Sequence, residues 1–154
     1  MKISTRGRYS LRMMIDLAQH YNQGFTALKD ISKRQDISKK YLEQIIPFLN
    51  RSHLLNANKG HMGGYRLAKA PSEITVREIL ENTEGSLAPV SCMDNNPNLC
   101  KRCTECVTLT INEGMYDVLT KYFDSITLED IINRQVSEFT YNIQEYQYTP
   151  CQAG

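Results

Sequence analysis

No run of apolar residues in the chain approaches the ~20 needed to cross a bilayer. The opening Met1-Lys2-Ile3-Ser4-Thr5-Arg6 lacks the apolar core of a secretory signal. Both absences lead to the expectation of a cytoplasmic protein of bacterial type that makes no membrane contact. The marks of an enzyme are missing too: there is no nucleotide-binding glycine fingerprint, no Ser/His/Asp order and no C-x-x-C at a strand–helix junction. Cys103-x-x-Cys106 alone echoes a redox motif, and it falls in a loop. Neither an enzyme nor a small-molecule substrate is expected. No internal repeat is apparent.

Net charge is also nearly absent, at +1, but its distribution is informative. Residues 1–70 carry +9 and residues 71–154 carry −8. One half is thus suited to a polyanion and the other to something else. A basic half fits electrostatic steering toward phosphates, although a solvated basic face has the same composition.

The 154 residues suffice for one domain with appended elements. Leu11, Met14, Ile15, Ala18 and Tyr21 recur at helical spacing over 6–22, and Gly24 stops that helix. Thr26 can cap a short second helix with Leu28 and Ile31 inside. After a brief break at Gln35-Asp36-Ile37, Ser38 can cap a third helix. That helix turns Tyr41, Leu42, Ile45 and Leu49 inward and Lys39, Lys40, Glu43 and Gln44 outward. Two short helices with a tight turn and a polar outer face on the second make a helix-turn-helix. Pro47 should kink or end the third helix.

Strand-like Leu54 to Asn58 and Tyr65 to Leu67 flank Lys59-Gly60-His61-Met62-Gly63-Gly64. A basic glycine-rich hairpin after a helix-turn-helix is what a DNA-contacting wing requires. Its glycines permit positive φ and close approach to a ligand. Thr75-Val76-Arg77-Glu78 and Thr127-Leu128-Glu129-Asp130 read as capping boxes. Between them, Ile111, Met115, Val118, Leu119, Tyr122 and Ile126 form the stripe of a longer helix. Self-association would give that stripe a partner; packing back on its own domain is the alternative.

Four cysteines crowd into fifteen residues as C-x7-C-x2-C-x2-C: Cys92, Cys100, Cys103 and Cys106. They lie in a Pro- and Asn-rich loop of over 20 residues, from Gly85 to Cys106, too long for an idle connector. Thiolates this dense in a reducing compartment are better read as metal ligands than as disulfides. Soft sulfur selects zinc, copper(I) or iron–sulfur clusters, and spacing leaves a cluster, zinc and a metal-free thiol switch all open. Cys151, near the end of a polar tail without clear period, is expected to be a free thiol.

Ile3-Ser4-Thr5-Arg6-Gly7-Arg8-Tyr9 resembles the opening of the IscR/NsrR/CymR family of bacterial winged-helix regulators. So do Tyr41-Leu42-Glu43-Gln44, the wing Gly60-x-x-Gly63-Gly64-Tyr65-x-Leu67, and Ile126-Thr127-Leu128-Glu129-Asp130. The likeness runs in order through residues 1–135. It implies a homodimer, joined by the long helix, that binds palindromic operators on double-stranded DNA. It also implies a cytoplasmic transcription regulator, read here as a repressor. Cluster-binding members carry three cysteines before that helix, and Cys92, Cys100 and Cys106 fall at those places. The cofactor so implied is an iron–sulfur cluster, [2Fe–2S] rather than [4Fe–4S].

The pattern departs at three positions. Leu109 stands where IscR-like members have a histidine. Arg8 stands where nitric-oxide-sensing members have an acidic residue. Cys103 is additional, either a fourth ligand or a bystander. A regulator without a cluster, using zinc or a thiol redox switch, is the alternative.

The expected fold is mainly α: a winged helix-turn-helix domain with a small β-hairpin wing, plus a long C-terminal dimerisation helix. Its parts are the DNA-binding domain at 1–83, a cysteine-rich sensor loop at 84–106, the dimerisation helix with a short following helix at 107–136, and a flexible tail at 137–154. Phosphate contacts are expected from Lys2, Arg6, Arg8, Arg51, Lys59 and backbone amides at helix starts. Base reading falls to Ser38, Lys39, Tyr41 and Gln44, with Gln44 matched to adenine and Lys39 to guanine. Glu43 can accept from cytosine or repel wrong sequences. Tyr41 is as readily a core residue. Gly60, His61, Gly63, Gly64 and Tyr65 form the wing, with His61 at its tip, entering the minor groove or standing in solvent.

Overall fold

Among the described residues, six α-helices and one hairpin follow the order α1–α2–α3–β1–β2–α4–α5–α6. The structure is a computed structural model that describes residues 2–60, 63–95, 98–136 and 139. The architecture is mainly α-helical with a winged helix-turn-helix at its N-terminal end, as the sequence leads one to expect. The expectations for His61, Cys151 and most of the tail fall outside the described residues.

Helix α1 spans Thr5–Gln19, capped by the Ser4 side chain. It is shorter than the apolar spacing predicts. A 3-10 turn at Tyr21–Gln23 follows it, and Tyr21 is exposed rather than inward. Its buried face holds Met13, Met14, Leu17 and Ala18, so Met13 and Leu17 join the predicted stripe.

Helix α2 spans Leu28–Gln35 and α3 spans Lys39–Arg51. Asp36 turns the chain between them in the left-handed region, at φ 49°. Ser38 caps α3 by accepting from Tyr41 N at 3.2 Å. Thr26 does not cap α2; Ala27 stands at that position with no side-chain cap. Thr26 instead exchanges two backbone bonds with Tyr65, each 2.9 Å, a pairing across 39 residues that tertiary packing alone selects. Pro47 does not end α3, which runs through it to Arg51. The carbonyl it orphans belongs to exposed Glu43, where water can satisfy it.

Strands β1 (Leu55–Asn58) and β2 (Gly64–Leu67) pair antiparallel, with Leu55 opposite Leu67 and Asn58 opposite Gly64. Helix α4 (Val76–Glu84), α5 (Leu109–Asp124) and α6 (Leu128–Ile132) complete the order. Thr75 accepts from Glu78 N at 3.1 Å, but its box is half-formed because the Glu78 carboxylate pairs with Lys69 at 2.8 Å. The Thr127 box is complete, with Asp130 Oδ2 accepting from Thr127 N at 2.8 Å. These two helix starts lie side by side, joined by Val76 N to Ile126 O at 2.9 Å and Leu128 N to Ile74 O at 3.0 Å. Ile126 therefore sits beyond α5 as a buried connector, not on the helix stripe.

Two apolar clusters hold the fold. The first packs α1, α2 and α3 with the hairpin through Met13, Leu17, Ile31, Leu42, Ile45 and Leu49. The second joins α4 to α5 through Val76, Leu80, Leu87, Phe123 and Ile126, with Ile3 and Leu119 against it. Each buried aliphatic side chain contributes about 1.5–3 kcal/mol of transfer free energy.

Within the first cluster lies a buried charge. Asp16 on α1 is 1% exposed and receives Arg34 Nε at 2.9 Å, Arg34 Nη2 at 2.6 Å and Gln35 Nε2 at 3.0 Å. Burial alone raises its carboxyl pKa, but the Arg34 and Gln35 donors outweigh this and hold it below 3.8. The pair clamps the end of α2 to α1, next to the turn that leads into α3.

Candidate nucleic-acid interface and cysteine loop

Ser38, Lys39, Glu43 and Gln44 all stand exposed on α3. Lys39 and Glu43 face each other at 3.6 Å, an exposed pair worth a few tenths of a kcal/mol at about one helical turn's spacing. Such a weak pair can open without much loss when a base edge competes for either partner. Tyr41 is half-buried and meets Tyr9 edge-on, ring centroids 5.2 Å apart. Its ring packs against the first core cluster, so it supports the exposed face of α3.

That face is bounded by a cleft of about 560 Å³ lined by Ser4, Thr5, Arg6, Tyr41, Gln44, Ile45 and Phe48. The first turn of α1 thus forms one wall and the outer face of α3 the other. Arg6 lies over the Phe48 ring at 4.5 Å, and Arg51 approaches the same ring at 5.6 Å. Both cations are held in place by one aromatic face. Arg6 Nε is buried without a hydrogen-bond partner among the described residues. Arg8 is exposed and donates to Thr5 Oγ1 at 3.2 Å. Lys2, Arg51 and Lys59 are exposed. Ser4, Thr5 and Phe48 also line this cleft and are not among the candidates drawn from the sequence. The Phe48 spacing, three residues before Arg51 on the same helix, was the available signal.

The wing glycines have a more local reason than ligand approach. A Cβ on Gly64 would collide with the Thr26 carbonyl oxygen, and one on Gly63 would press on Asn58 O and Gly60 O. Gly64 is what allows β2 to pair with Thr26. Gly60 is exposed at φ 145°, in the region that favours glycine. Tyr65 is half-buried at the wing base, in the strand where the sequence puts it.

Residues 3–134 match the Rrf2 family, described as an iron-dependent transcriptional regulator. The chain belongs to the Rrf2 family. It is 36% identical over 132 residues to protein rrf2 of Nitratidesulfovibrio vulgaris, covering 86% of this chain and 87% of that one. It is 35% identical over 135 residues to the transcriptional regulator IscR of Photorhabdus laumondii, covering 88% and 81%. Among solved structures it resembles CymR, the global cysteine regulator of B. subtilis, at TM-score 0.70 and 34% identity, covering 87% and 98%. IscR and CymR are named as transcriptional regulators, not as enzymes. As an Rrf2 member the chain is a DNA-binding transcriptional regulator, and its winged helix is the part suited to the duplex.

Past α4 the loop carries two 3-10 turns, Ser91–Met93 and Cys103–Glu105. Cys92, Cys100 and Cys106 are free thiols of intermediate exposure. The Cys106 thiol is held below its ordinary range, first by the Thr108 hydroxyl 3.4 Å away and then by the Thr108 and Leu109 backbone and Arg102. Cys103 differs: it is buried and disulfide-bonded, and in that form offers no thiolate. Among the described residues no three His, Cys, Asp or Glu side chains converge to hold a metal ion. The three free thiols suit a thiophilic group in chemistry, but they are one short of four ligands and the described residues do not bring them together. No helix of the described residues is long and apolar enough to cross a membrane.

Proposed function

We propose that this Rrf2-family regulator is a homodimeric repressor that reads a palindromic operator with α3 and the wing, under control of a cluster held by Cys92, Cys100 and Cys106. The observation that carries this reading is the pairing, in one small chain, of an exposed polar α3 face with three free thiols in the segment leading into α5. Bound there, a [2Fe–2S] cluster would supply a redox-sensitive, reversible crosslink among soft ligands. The chain's own residues do the rest. Lys39, Glu43 and Gln44 meet base edges, and Lys2, Arg6, Arg8, Arg51 and Lys59 meet phosphates. Gly60, His61, Gly63 and Gly64 carry the wing to the duplex, with Tyr65 bracing its base.

The dimer is supported by α5. Tyr116, Leu119 and Phe123 pack toward α4, while Ile111 is 71% and Met115 41% exposed on the same helix. A second copy would cover that face, and twofold symmetry would repeat the reading head over a palindrome.

An anaerobic visible spectrum with iron and sulfide analysis, on wild type and Cys92→Ala, tests the cluster. Bands between roughly 320 and 460 nm, lost in the variant, are expected. A colourless, iron-free protein after anaerobic reconstitution would remove the cluster and leave DNA binding intact. A thiol-switch regulator is the second reading, and the disulfide at Cys103 favours it. In that case operator affinity would follow dithiothreitol rather than iron. Zinc would instead give a colourless protein containing stoichiometric metal.

A further inference from the structure

Glu84 is the last residue of α4, immediately before the cysteine loop. A carboxylate at a helix C-terminus is opposed by that helix's dipole. The Glu84 side chain instead reaches the start of α1, where the first turn holds no acidic residue of its own. Its Oε1 accepts from Ser4 N at 3.0 Å and from the Ser4 hydroxyl at 2.8 Å. The same hydroxyl accepts from Gly7 N at 3.2 Å. Glu84 thereby fixes the rotor of the residue that caps α1. A Cβ on Gly7 would press on Glu84 Oε1, so any side chain there would have to displace the Glu84 carboxylate.

Two further contacts converge on this point. Ile3, beside Ser4, packs on the cluster that contains Leu87, the buried anchor of the loop's root. On its other side, Ser4 lines the cleft with Thr5 and Arg6, opposite Tyr41 and Gln44. The segment from Ile3 to Arg6 is thus a physical bridge between loop root and reading face. We propose that Glu84 is a positioning residue that holds the DNA-facing first turn of α1 from the root of the cysteine loop, so that a change in the loop reaches the reading cleft through the Glu84–Ser4 pair. This rests on the reading of the cleft as the DNA face.

The full-length protein is compared with its Cys92, Cys100 and Cys106 thiols free and carbamidomethylated with iodoacetamide. Hydrogen exchange at residues 5–8 and operator affinity by fluorescence anisotropy are read for wild type, Glu84→Ala and Glu84→Gln. In wild type, alkylation changes both exchange at 5–8 and affinity. In Glu84→Ala, exchange there is already about fivefold faster, as for a lost helix cap, and neither readout responds to alkylation. Glu84→Gln keeps an acceptor oxygen and retains the response. A purely structural role would lower stability yet leave the ratio of affinities between the two thiol states unchanged. An α1 segment indifferent to alkylation in wild type overturns the proposal, as does a wild-type response in Glu84→Ala. If Glu84→Ala fails to melt cooperatively, wild type and Glu84→Gln still decide. Coupled exchange without any duplex binding would sink the DNA reading of the cleft and spare the latch.

Discussion

Replacing Asp16 with alanine removes a carboxylate that is 1% exposed and takes three hydrogen bonds from α2. Breaking a buried ion pair by deleting one partner costs about 3–5 kcal/mol. Arg34 is 37% exposed, so water can rehydrate the abandoned guanidinium, which places the loss near the lower end, at about 3 kcal/mol. For a domain of this length that is roughly a 6–12 °C fall in Tm. Urea denaturation followed by circular dichroism measures it, with Asp16→Asn as the milder comparison. The double variant Asp16→Leu/Arg34→Met, which replaces the pair with apolar groups of similar size, should recover most of the loss. The pH dependence has a defined sign. Because the folded carboxyl titrates below 3.8, its contribution is complete above that value and disappears as pH falls through the folded pKa. The advantage of wild type over Asp16→Asn should therefore hold from pH 7 to about pH 4 and shrink below. A loss for Asp16→Ala under about 1 kcal/mol, or a double variant no more stable than the single, would refute the clamp.

Gly64→Ala should destabilise by about 1–3 kcal/mol, the worth of the two Thr26–Tyr65 backbone bonds it would break; amide exchange at Thr26 and Tyr65 reports it directly. Met115→Asp places a charge on the exposed α5 face and should convert a dimer to a monomer in sedimentation with little change in the monomer's helicity; an unchanged dimer would move the interface elsewhere. Thr127→Ala loses the hydroxyl half of its capping box while keeping the bond from its own N–H to Asp130, and should cost about 1 kcal/mol in urea denaturation, with α6 exchanging first.

The winged helix-turn-helix was legible in the sequence because its signals are local. Ser38 caps what it was expected to cap, the 3.6-residue period of Leu42, Ile45 and Leu49 marks the buried side of α3, and Gly60 marks the hairpin. What stayed hidden depends on partners far along the chain. The partners that make Asp16 matter, Arg34 and Gln35, stand 18 and 19 residues away. Thr26 carried a capping signal that pairing with Tyr65 overrode, and Gly64 showed a wing glycine without showing that its empty side faces Thr26. Nothing local points Glu84 at Ser4, 80 residues distant. Pro47 was a breaker in principle, but Glu43's exposed side let α3 continue. Within the loop the cysteine spacing showed a dense group of sulfurs but carried no sign that Cys103 is disulfide-bonded.

The most direct test is selection of duplexes from a random pool by the purified protein, followed by anisotropy titration of the selected site with wild type, Gln44→Ala and Arg51→Gln at several salt concentrations. A palindromic consensus is expected. Gln44→Ala should lose about 1–3 kcal/mol and relax preference at one base position in each half-site. Arg51→Gln should weaken all duplexes alike and reduce the salt slope by about one. No enriched sequence, or a consensus and affinity untouched by Gln44→Ala, would contradict the assignment of α3 as the base-reading element.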